Sequence, residues 1–270
     1  MDALLPVSSL YKWVNQEKMR RPLSVVLITK NAASQLEKTL ASVQWADEIV
    51  VVDSGSTDDT VAIASAYKAK VIHQDWLGFG PQKQLAVAKA SHDWVLCLDA
   101  DEWPSEKLTN EIKDVLNNPQ AEAYRFPRSN RFMGRFLKHG EGYPDWSLRL
   151  FNRQAARWSD DLVHEYVQTD KPVAALTGDL MHESGEDIAL YLNKQNRYTT
   201  LQAETLYKRG KKAGWGRLVF SPLLRFIKFY LVRRGFLDGL PGLVHISIGC
   251  FNSYIKYAKL NELHRLEREK

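Results

Sequence analysis

Cysteine is scarce in this chain, and its scarcity excludes two kinds of protein. Only Cys97 and Cys250 occur in 270 residues, far apart and without the spacing of metal ligands. A disulfide scaffold and a cysteine-bound zinc site are therefore excluded, and the composition fits a reducing, cytosolic setting. The amino terminus also lacks the charged, apolar and cleavage regions of a signal peptide in their usual order. We therefore expect the protein to be kept inside the cell.

The glycine-rich loops that commonly bind nucleotide phosphates are also absent. No G-x-G-x-x-G follows the first apolar run, and no Walker-type loop ending in lysine occurs. These absences exclude a dinucleotide-binding fingerprint and a P-loop. A nucleotide, if one binds, has to be held by side chains and a metal ion.

Acidic residues are missing from one long stretch. Residues 205–237 contain no Asp or Glu, although the net charge of the whole chain is only +5. The basic residues of this stretch are Lys208, Arg209, Lys211, Lys212, Arg217, Arg225, Lys228, Arg233 and Arg234. Such a stretch indicates an anionic partner: a membrane surface, a phosphorylated glycolipid or a nucleic acid. No base-reading module accompanies it, so we expect no nucleic-acid partner.

What the first hundred residues do contain is a regular alternation of strand-like and helix-like segments. Apolar, β-rich runs cover residues 23–28, 48–53, 70–73 and 94–98, with helical patterns between them. Strands and helices that alternate through short connections predict an α/β fold with a mostly parallel sheet. Runs that are apolar on both faces indicate central strands covered by helices on each side.

The fourth apolar run ends abruptly in carboxylates. Asp99 and Asp101 follow it and precede Trp103 and Pro104. Residues two apart in extended backbone point the same way, so both carboxylates can face a cleft at the carboxyl end of the sheet. Neighbouring carboxylates repel unless a cation relieves them, and Mg²⁺ is held by one or two carboxylates plus substrate phosphates. The alternative is that Asp99 or Asp101 caps a helix beginning near Pro104, and the motif alone does not decide.

Three segments carry a pattern that is more specific than any one of them alone. They are residues 23–31 (LSVVLITKN), 48–60 (EIVVVDSGSTDDT) and 94–102 (WVLCLDADE). In this order and spacing they resemble the family-2 inverting glycosyltransferases of the GT-A fold. Residues 146–152 (WSLRLFN), 163–165 (VHE), 181–184 (MHES) and 196–200 (NRYTT) extend the similarity. They resemble the bacterial branch that includes the lipopolysaccharide inner-core β-1,4-glucosyltransferases, which add glucose to a core heptose.

The resemblance implies a donor site at the ends of the strands. It places Asp53 against the nucleotide base or ribose of a UDP-sugar, and Thr29, Asn31 and Lys83 among the other donor contacts. The alternative for Asp53 is a structural one, in which its carboxylate closes an Asx-turn over residues 53–55.

The resemblance also implies a metal site and a general base. Asp99 and Asp101 would surround a divalent cation, Mg²⁺ or Mn²⁺, with His182 completing the site. Glu165 matches the base that takes a proton from the acceptor hydroxyl, and Asp145 is the reserve candidate. The alternatives are that Glu165 pairs with a nearby arginine and that His182 is structural.

The chain is predicted to fall into three parts. Residues 1–22 form a lead-in, and residues 23–206 form the GT-A catalytic domain, with a nucleotide-sugar half (23–122) and an acceptor half (123–206). Residues 207–270 form a basic, aromatic helical extension. Its wide apolar face beside a basic stripe is typical of a helix lying in a membrane interface, although a dimer surface or packing on the catalytic domain would also explain it. Residues 239–255 are short for a span, so we expect a helical hairpin that touches the membrane without crossing it.

The function predicted is metal-assisted transfer of a hexose, glucose from UDP-glucose, to a heptose of the lipopolysaccharide inner core. The enzyme would be peripheral on the inner face of the cytoplasmic membrane, and the sequence predicts no particular oligomeric state. One alternative changes the acceptor to a polyprenyl-phosphate or another surface polysaccharide. Another is a non-catalytic protein that binds a nucleotide sugar or a glycolipid.

Overall fold

Four parallel strands form the first half of the central sheet in the computed structural model, which describes residues 20–161, 165–185 and 187–269. They pair in the order β3-β2-β1-β4, and are β1 (Leu23–Thr29), β2 (Glu48–Asp53), β3 (Lys70–His73) and β4 (Trp94–Asp99). Thr29 pairs with Asp53, and Ile28 pairs with Asp99. This register brings two strand-terminal carboxylates to the same edge of the sheet. Most of the predicted lead-in lies outside the described residues.

Strand β4 is apolar throughout because its two faces pack into two different cores. Trp94, Leu96 and Leu98 belong to one core, whereas Val95 and Cys97 belong to the other. Alternate residues of a strand point to opposite faces, which accounts for the division. Helices α1 (Ala33–Ser42), α2 (Thr60–Ala66) and α4 (Glu106–Asn117) cover the first core, and α3 (Phe79–Ala88) covers the second.

The second half of the sheet mixes parallel and antiparallel pairing. It continues from β4 in the order β8-β6-β12-β5. The strands are β5 (Glu102–Pro104), β6 (Ala123–Phe132), β7 (Arg135–Phe136), β8 (Asp145–Asn152), β9 (Ala156–Trp158), β10 (Val167–Thr169), β11 (Val173–Ala175) and β12 (Leu180–His182). Strands β9 and β10 pair apart from this sheet, while β7 and β11 pair with β6. The predicted α/β fold is confirmed, with a sheet that is parallel in its first half and mixed in its second.

The start of α4 decides one alternative that the sequence left open. Pro104 is the last residue of β5, and α4 begins at Glu106. The cap of this helix is Ser105, whose hydroxyl accepts a hydrogen bond from the backbone N–H of Leu108 at 3.2 Å. The alternative in which Asp99 or Asp101 caps this helix is therefore wrong, because the β5 strand separates both carboxylates from it.

A group of helices follows the sheet. It comprises α5 (Ile188–Lys208), α6 (Trp215–Phe226), a π-helical turn (Ile227–Val232), a 3₁₀ turn (Gly235–Asp238) and α7 (Gly239–Arg268). Helix α7 is continuous over 30 residues, so the predicted hairpin at residues 239–255 is wrong. It packs on α5 around a small core that contains Ala203, Ala213 and Leu260. Among the described residues, no helix has both the length and the apolarity needed to cross a membrane.

The helical extension is fixed to the loop between β7 and β8. The buried carboxylate of Asp238 accepts hydrogen bonds from the backbone N–H groups of Lys138 (3.0 Å) and His139 (2.8 Å). Arg225 forms an ion pair with Glu141. The extension therefore packs on the catalytic domain, as one of the alternatives for this region predicted.

Candidate active site

The carboxylate of Asp53 is held by its own loop. It accepts hydrogen bonds from the Thr29 hydroxyl (2.9 Å), the Gly55 N–H (3.0 Å), and the N–H (2.8 Å) and hydroxyl (2.5 Å) of Ser56. Burial by itself raises the pKa of Asp53, but these hydrogen bonds, led by those from Ser56, outweigh it and lower the pKa. Four hydrogen bonds use the four acceptor positions of a carboxylate. The structure thus shows the turn role for Asp53, and its contact with a nucleotide stays a prediction.

Asn31 ties the first two strand-to-helix loops together. Its side-chain oxygen accepts a hydrogen bond from the Thr57 N–H at 2.8 Å, and its own N–H donates to the Ser56 hydroxyl at 2.8 Å. Asn31 adopts a positive φ of 51°, a conformation that asparagine tolerates better than most residues. Thr29 and Asn31 therefore shape the loop around Asp53, next to the strand ends where a donor is expected.

Asp99 lies between two cations. Lys83 Nζ is 2.9 Å from one of its oxygens, and Arg149 Nη2 is 2.9 Å from the other. Burial raises the pKa of the Asp99 carboxyl, but Arg149 and then Lys83 reverse this and hold its pKa far below the ordinary value. Asp99 is consequently a permanent anion at neutral pH.

Lys83 joins Asp99 to the predicted base. Its Nζ is also 2.8 Å from Glu165 Oε1, and it lies 4.8 Å from the ring centre of Trp158. Lys83 is buried and Glu165 is nearly so, at 16% side-chain exposure. Glu165 thus pairs with a lysine, where an arginine was the alternative. Its neighbours in the predicted motif, residues 163 and 164, lie outside the described residues.

A backbone contact sets the spacing between Lys83 and the segment that leads to Glu165. Gly80, in the first turn of α3, donates its N–H to the carbonyl oxygen of Asp161 at 3.1 Å. A Cβ on Gly80 would lie 2.2 Å from the carbonyl oxygen of Ser159 and 2.6 Å from that of Asp161. Only glycine permits this approach of helix and loop.

Asp101 is paired with His182. Asp101 Oδ2 lies 3.2 Å from His182 Nε2, and His182 Nδ1 lies 2.7 Å from the side-chain oxygen of Asn130. Because an amide oxygen only accepts, Nδ1 carries the donated hydrogen. In the neutral ring Nε2 therefore presents a lone pair to a carboxylate oxygen, an arrangement that requires a proton or a metal ion between the two atoms.

The donor atoms of this pair fit a divalent cation. Oxygen and imidazole ligands lie about 2.1 Å from such ions, so two ligands at right angles are about 3 Å apart. The predicted three-ligand set is not brought together, however, because the carboxylate of Asp99 is taken by Lys83 and Arg149. Within the part of the chain that the structure describes, no three His, Cys, Asp or Glu side chains are grouped to hold a metal. A metal at Asp101 and His182 would need further ligands from a substrate.

Asp145, the reserve base, is part of a separate ion network. Its Oδ2 accepts hydrogen bonds from Arg128 Nη2 at 2.7 Å and Arg128 Nε at 2.9 Å. Arg128 also contacts the fully buried Glu102 at 3.1 Å, and Glu102 lies 3.4 Å from Arg149. Asp145 is thereby bound to a guanidinium through two hydrogen bonds to one of its oxygens.

Glu102, Arg128 and Arg149 were not predicted as site residues from the sequence. Glu102 and Arg149 lie inside the segments WVLCLDADE and WSLRLFN, so they were visible as members of motifs. Their pairing depends on β8 lying beside both β4 and β6. Arg149 is buried, and its Nη1 has no hydrogen-bond partner among the described residues. An arginine between the two leucines of β8, Leu148 and Leu150, was the signal that could have found this network.

Sequence comparison finds one family profile and several relatives that are similar to this chain. The profile described as Glycosyl transferase family 2 matches residues 24–172. A protein named as an uncharacterized glycosyltransferase of Rickettsia typhi is 34% identical over 256 residues, which cover 90% of this chain and 88% of the relative. The lipopolysaccharide core biosynthesis glycosyltransferase LpsC of Rhizobium meliloti is 29% identical over 254 residues, which cover 91% and 94%.

Two solved structures align with this chain at TM-scores below 0.5. S. aureus TarS in complex with UDP aligns with a TM-score of 0.47 and 15% identity, over 91% of this chain and 92% of that one. Glucosyl-3-phosphoglycerate synthase from Mycobacterium tuberculosis, in complex with Mn²⁺, UDP and glucosyl-3-phosphoglycerate, aligns with a TM-score of 0.44 and 19% identity, over 72% of this chain and 82% of that one. The profile match over more than half of the chain, together with the Rickettsia relative, shows that this protein belongs to glycosyl transferase family 2.

Proposed function

We propose that the protein is an inverting glycosyltransferase that moves glucose from UDP-glucose to a heptose of the lipopolysaccharide inner core. Family membership supports the reaction type, and the name of the LpsC relative supports the pathway. The observation that carries the proposal is the bridge of Lys83 between Asp99 and Glu165. It brings a carboxylate 82 positions away along the chain to the strand ends where a nucleotide sugar is expected.

Glu165 is the group proposed to act as base. The acceptor hydroxyl attacks the anomeric carbon of the donor, and its proton passes to a Glu165 carboxylate oxygen as the bond from that carbon to the diphosphate breaks. A single displacement of this kind inverts the anomeric configuration. General base assistance contributes about 10²–10⁴-fold to such a step. Asp145 stays the reserve candidate, because its ion pair with Arg128 does not link it directly to Asp99 at the strand ends.

Positive charge near the diphosphate favours its departure. Lys83 and Arg149 are the buried cations beside Asp99, and preorganised cations stabilise charge that develops on a leaving group. Asp101 and His182 would hold a divalent cation together with the donor phosphates, and the cation would act there as a Lewis acid. Asp53, with Thr29 and Asn31, would fix the loop that faces the nucleoside.

The reaction is tested with purified protein, a panel of nucleotide sugars and truncated core oligosaccharides, with and without Mg²⁺ or Mn²⁺. We expect transfer from UDP-glucose to a heptose-terminated acceptor, identified by product mass and linkage. Transfer only to a polyprenyl-phosphate would show that the acceptor differs from the one proposed. Transfer of another sugar would show that the donor differs. Binding of UDP-glucose without transfer or hydrolysis under any condition would contradict an enzymatic role.

The exposed face of α6 supports a second part of the proposal, that the enzyme is peripheral on an anionic membrane. None of the residues of α6 or of the π-helical turn is buried. Trp215 is 84% exposed, Leu224 is 62% exposed and Val232 is 73% exposed. The same stretch has many Lys and Arg and no acid, and each such charge contributes about 1 kcal/mol near an anionic leaflet. We propose the inner face of the cytoplasmic membrane, where nascent core glycolipid would be presented.

Membrane binding is tested by sedimentation with vesicles. We expect the protein to sediment with vesicles that contain phosphatidylglycerol, and the double variant Leu224→Ser with Val232→Ser to remain in solution. Trp76→Ser removes an exposed aromatic residue outside this face and should leave sedimentation unchanged. Point substitutions are preferable to deleting the extension, because α7 packs on the rest of the chain. Equal sedimentation of the double variant and the native protein would refute the membrane proposal.

A further inference from the structure

His182 lies at the end of β12, where main-chain pairing sets both neighbours of its ring. In the sheet it pairs with Asn130 of β6 and with Glu102 of β5. The N–H of the next residue, Glu183, donates to the carbonyl oxygen of Asp101 at 3.1 Å. The positions of Asn130 and Asp101 beside the imidazole are therefore fixed by the sheet.

Two contacts hold the ring of His182, one at each nitrogen. Nδ1 is 2.7 Å from the side-chain oxygen of Asn130, and Nε2 is 3.2 Å from Asp101 Oδ2. A neutral imidazole carries one hydrogen, which can lie on either nitrogen. With the hydrogen on Nε2, His182 would donate it to Asp101, and Nε2 would have no lone pair for a cation.

Asn130 selects the other tautomer. Its side-chain oxygen only accepts, so it holds the hydrogen on Nδ1 and leaves Nε2 with a lone pair beside Asp101. The hydrogen bond also fixes the rotation of the ring, since the torsion about the bond from Cβ to the imidazole is otherwise broad. Proteins commonly orient a metal-binding histidine by a hydrogen bond of this kind to its second nitrogen.

Asp101 and His182 face a cavity of about 370 Å³ between the second half of the sheet and the helical extension. Asn130 also lines it from the sheet, and His245 of α7 lines it from the helices. The volume is within the range of about 300–1,000 Å³ typical of ligand sites. A cation at Asp101 and His182 would therefore have space on this side for the further ligands that a substrate has to supply.

We propose that Asn130 is a positioning residue of the cation site. It acts through His182, by holding the tautomer and the rotation in which Nε2 is available beside Asp101. The assignment rests on the proposed metal-assisted transfer, and it adds a residue of β6 that lies outside the sequence motifs. Because Asn130 lines the cavity, the alternative is that its own oxygen binds the cation.

The test measures binding of Mn²⁺ to the full chain in the presence of UDP, by electron paramagnetic resonance of the free ion. Asn130→Leu keeps a side chain of similar size but removes the acceptor, and we expect the dissociation constant of Mn²⁺ to rise by about 10–100-fold. Asn130→Asp keeps an acceptor oxygen, and we expect it to bind Mn²⁺ at least as tightly as the native protein. A purely structural contribution of Asn130 would lower the thermal unfolding midpoint without this difference between the two variants.

A double variant separates a positioning role from direct binding of the cation. His182→Ala should weaken Mn²⁺ binding by at least as much as Asn130→Leu. If Asn130 acts through the ring, adding Asn130→Leu to His182→Ala should cause no further loss, because residues that act as one unit are not additive. Losses that multiply in the double variant would show that Asn130 binds the cation itself and would overturn the positioning role.

Asn152→Leu is the matched control. Asn152 is the last residue of β8, and its side-chain amide donates to Glu122 at 2.9 Å. It pairs with Trp94, at the opposite end of β4 from Asp99. The substitution removes a hydrogen bond of an asparagine side chain from the same sheet and should leave the affinity for Mn²⁺ unchanged.

The role of Asn130 and the proposed reaction fail in different ways. Native Mn²⁺ affinity in Asn130→Leu, or an equal loss in Asn130→Leu and Asn130→Asp, would overturn the role of Asn130 while transfer itself continued. Absence of Mn²⁺ binding to the native protein in the presence of UDP would also overturn it, and transfer without added metal would leave the proposed reaction standing. Mn²⁺ binding that depends on Asn130, without any transfer or donor hydrolysis, would refute the proposed reaction and support the role of Asn130. If Asn130→Leu does not fold, Asn130→Ala removes the same acceptor and is judged by the same criterion.

Discussion

Strand β4 and helix α6 are both rich in large apolar residues, yet these residues are buried in the strand and exposed in the helix. In β4 every residue from Trp94 to Leu98 is buried, with Leu96 fully so. In α6 no residue is buried, and Trp215 is among the most exposed side chains described. The strand has helices on both faces, whereas the helix has α7 on one side and, among the described residues, an exposed face on the other.

This difference in burial distinguishes apolar residues that stabilise the fold from apolar residues that are available to contact a partner outside the chain. Burial of apolar area contributes roughly 25 cal/mol per Å² to the stability of the fold. The side chains of β4 make this contribution because they are buried within the chain. Helix α6 does not, so its apolar residues contribute little to folding. Contiguous exposed apolar surface of this kind marks interaction sites in soluble proteins. The proposed reacting groups therefore lie at the end of a buried strand. The exposed apolar surface lies on a helix that folding does not require to be apolar.

The largest effect is expected at the strand end. Glu165→Gln keeps the size of the side chain and its contact with Lys83 but removes the proton acceptor, so transfer should fall by about 10²–10⁴-fold. The thermal unfolding midpoint should stay close to that of the native protein. Asp160→Asn, at an exposed position of the same loop, should retain native turnover. Native turnover in Glu165→Gln would move the base elsewhere, with Asp145 examined next.

The next effect concerns stability at the same end. Glu102→Ala would leave the guanidinium groups of Arg128 and Arg149 without their shared buried anion. Breaking a buried ion pair from one side costs about 3–5 kcal/mol. Urea unfolding measures this loss. Glu106→Ala, exposed in the first turn of α4, should cost less than about 1 kcal/mol, and equal losses in both variants would show that the buried network is not stabilising.

Two leucines test the comparison of strand and helix directly. Leu96→Ala should lower the free energy of unfolding by about 2–5 kcal/mol because it opens a cavity in the core. Leu224→Ala should change it by less than about 0.5 kcal/mol, as is usual for surface positions. The measurement is chemical denaturation of both variants without lipid. A large loss in Leu224→Ala would show that α6 is packed in solution, against another copy of the chain.

Acid should lower the free energy of unfolding through the carboxylates at the strand ends. The pKa values of Asp53 and Asp99 are lowered in the folded protein, so the unfolded chain binds more protons in acid. The stability they contribute is fully present above their unfolded pKa of about 3.9 and is lost as pH falls through the folded values. In Asp99→Asn the fall of unfolding free energy with acid should be shallower. An identical slope in Asp99→Asn would contradict the direction assigned to Asp99.

The parts of the fold that the sequence predicted are those set by local pattern. Apolar runs ending in Asp53 and Asp99 placed two carboxylates at strand ends, because strand period and parallel pairing leave few other arrangements. Glu165 beside Lys83 could not be derived in this way. Their contact depends on how the loop after β9 lies against α3, and no local pattern encodes that approach.

The packing of the helical extension also could not be predicted from local sequence pattern. Its apolar face was visible in the sequence, but the pattern of α7 could not indicate that this helix packs on α5 and joins a cavity at Asp101. The network of Glu102, Arg128 and Arg149 similarly depends on antiparallel pairing of β8 with its neighbours. The packing of α7 and this network could not be predicted from the sequence, because both depend on long-range contacts more than on local propensity.

The glycine at position 80 has a consequence for how this site can evolve. Because the backbone of α3 touches the carbonyl oxygens of Ser159 and Asp161, the lysine and the loop before Glu165 are set at a fixed spacing by main-chain atoms. Substitutions of nearby side chains can alter which sugars fit, but they leave that spacing intact. New specificities can therefore arise around the proposed reacting groups without losing their alignment, whereas a residue larger than glycine at this one position would displace them together.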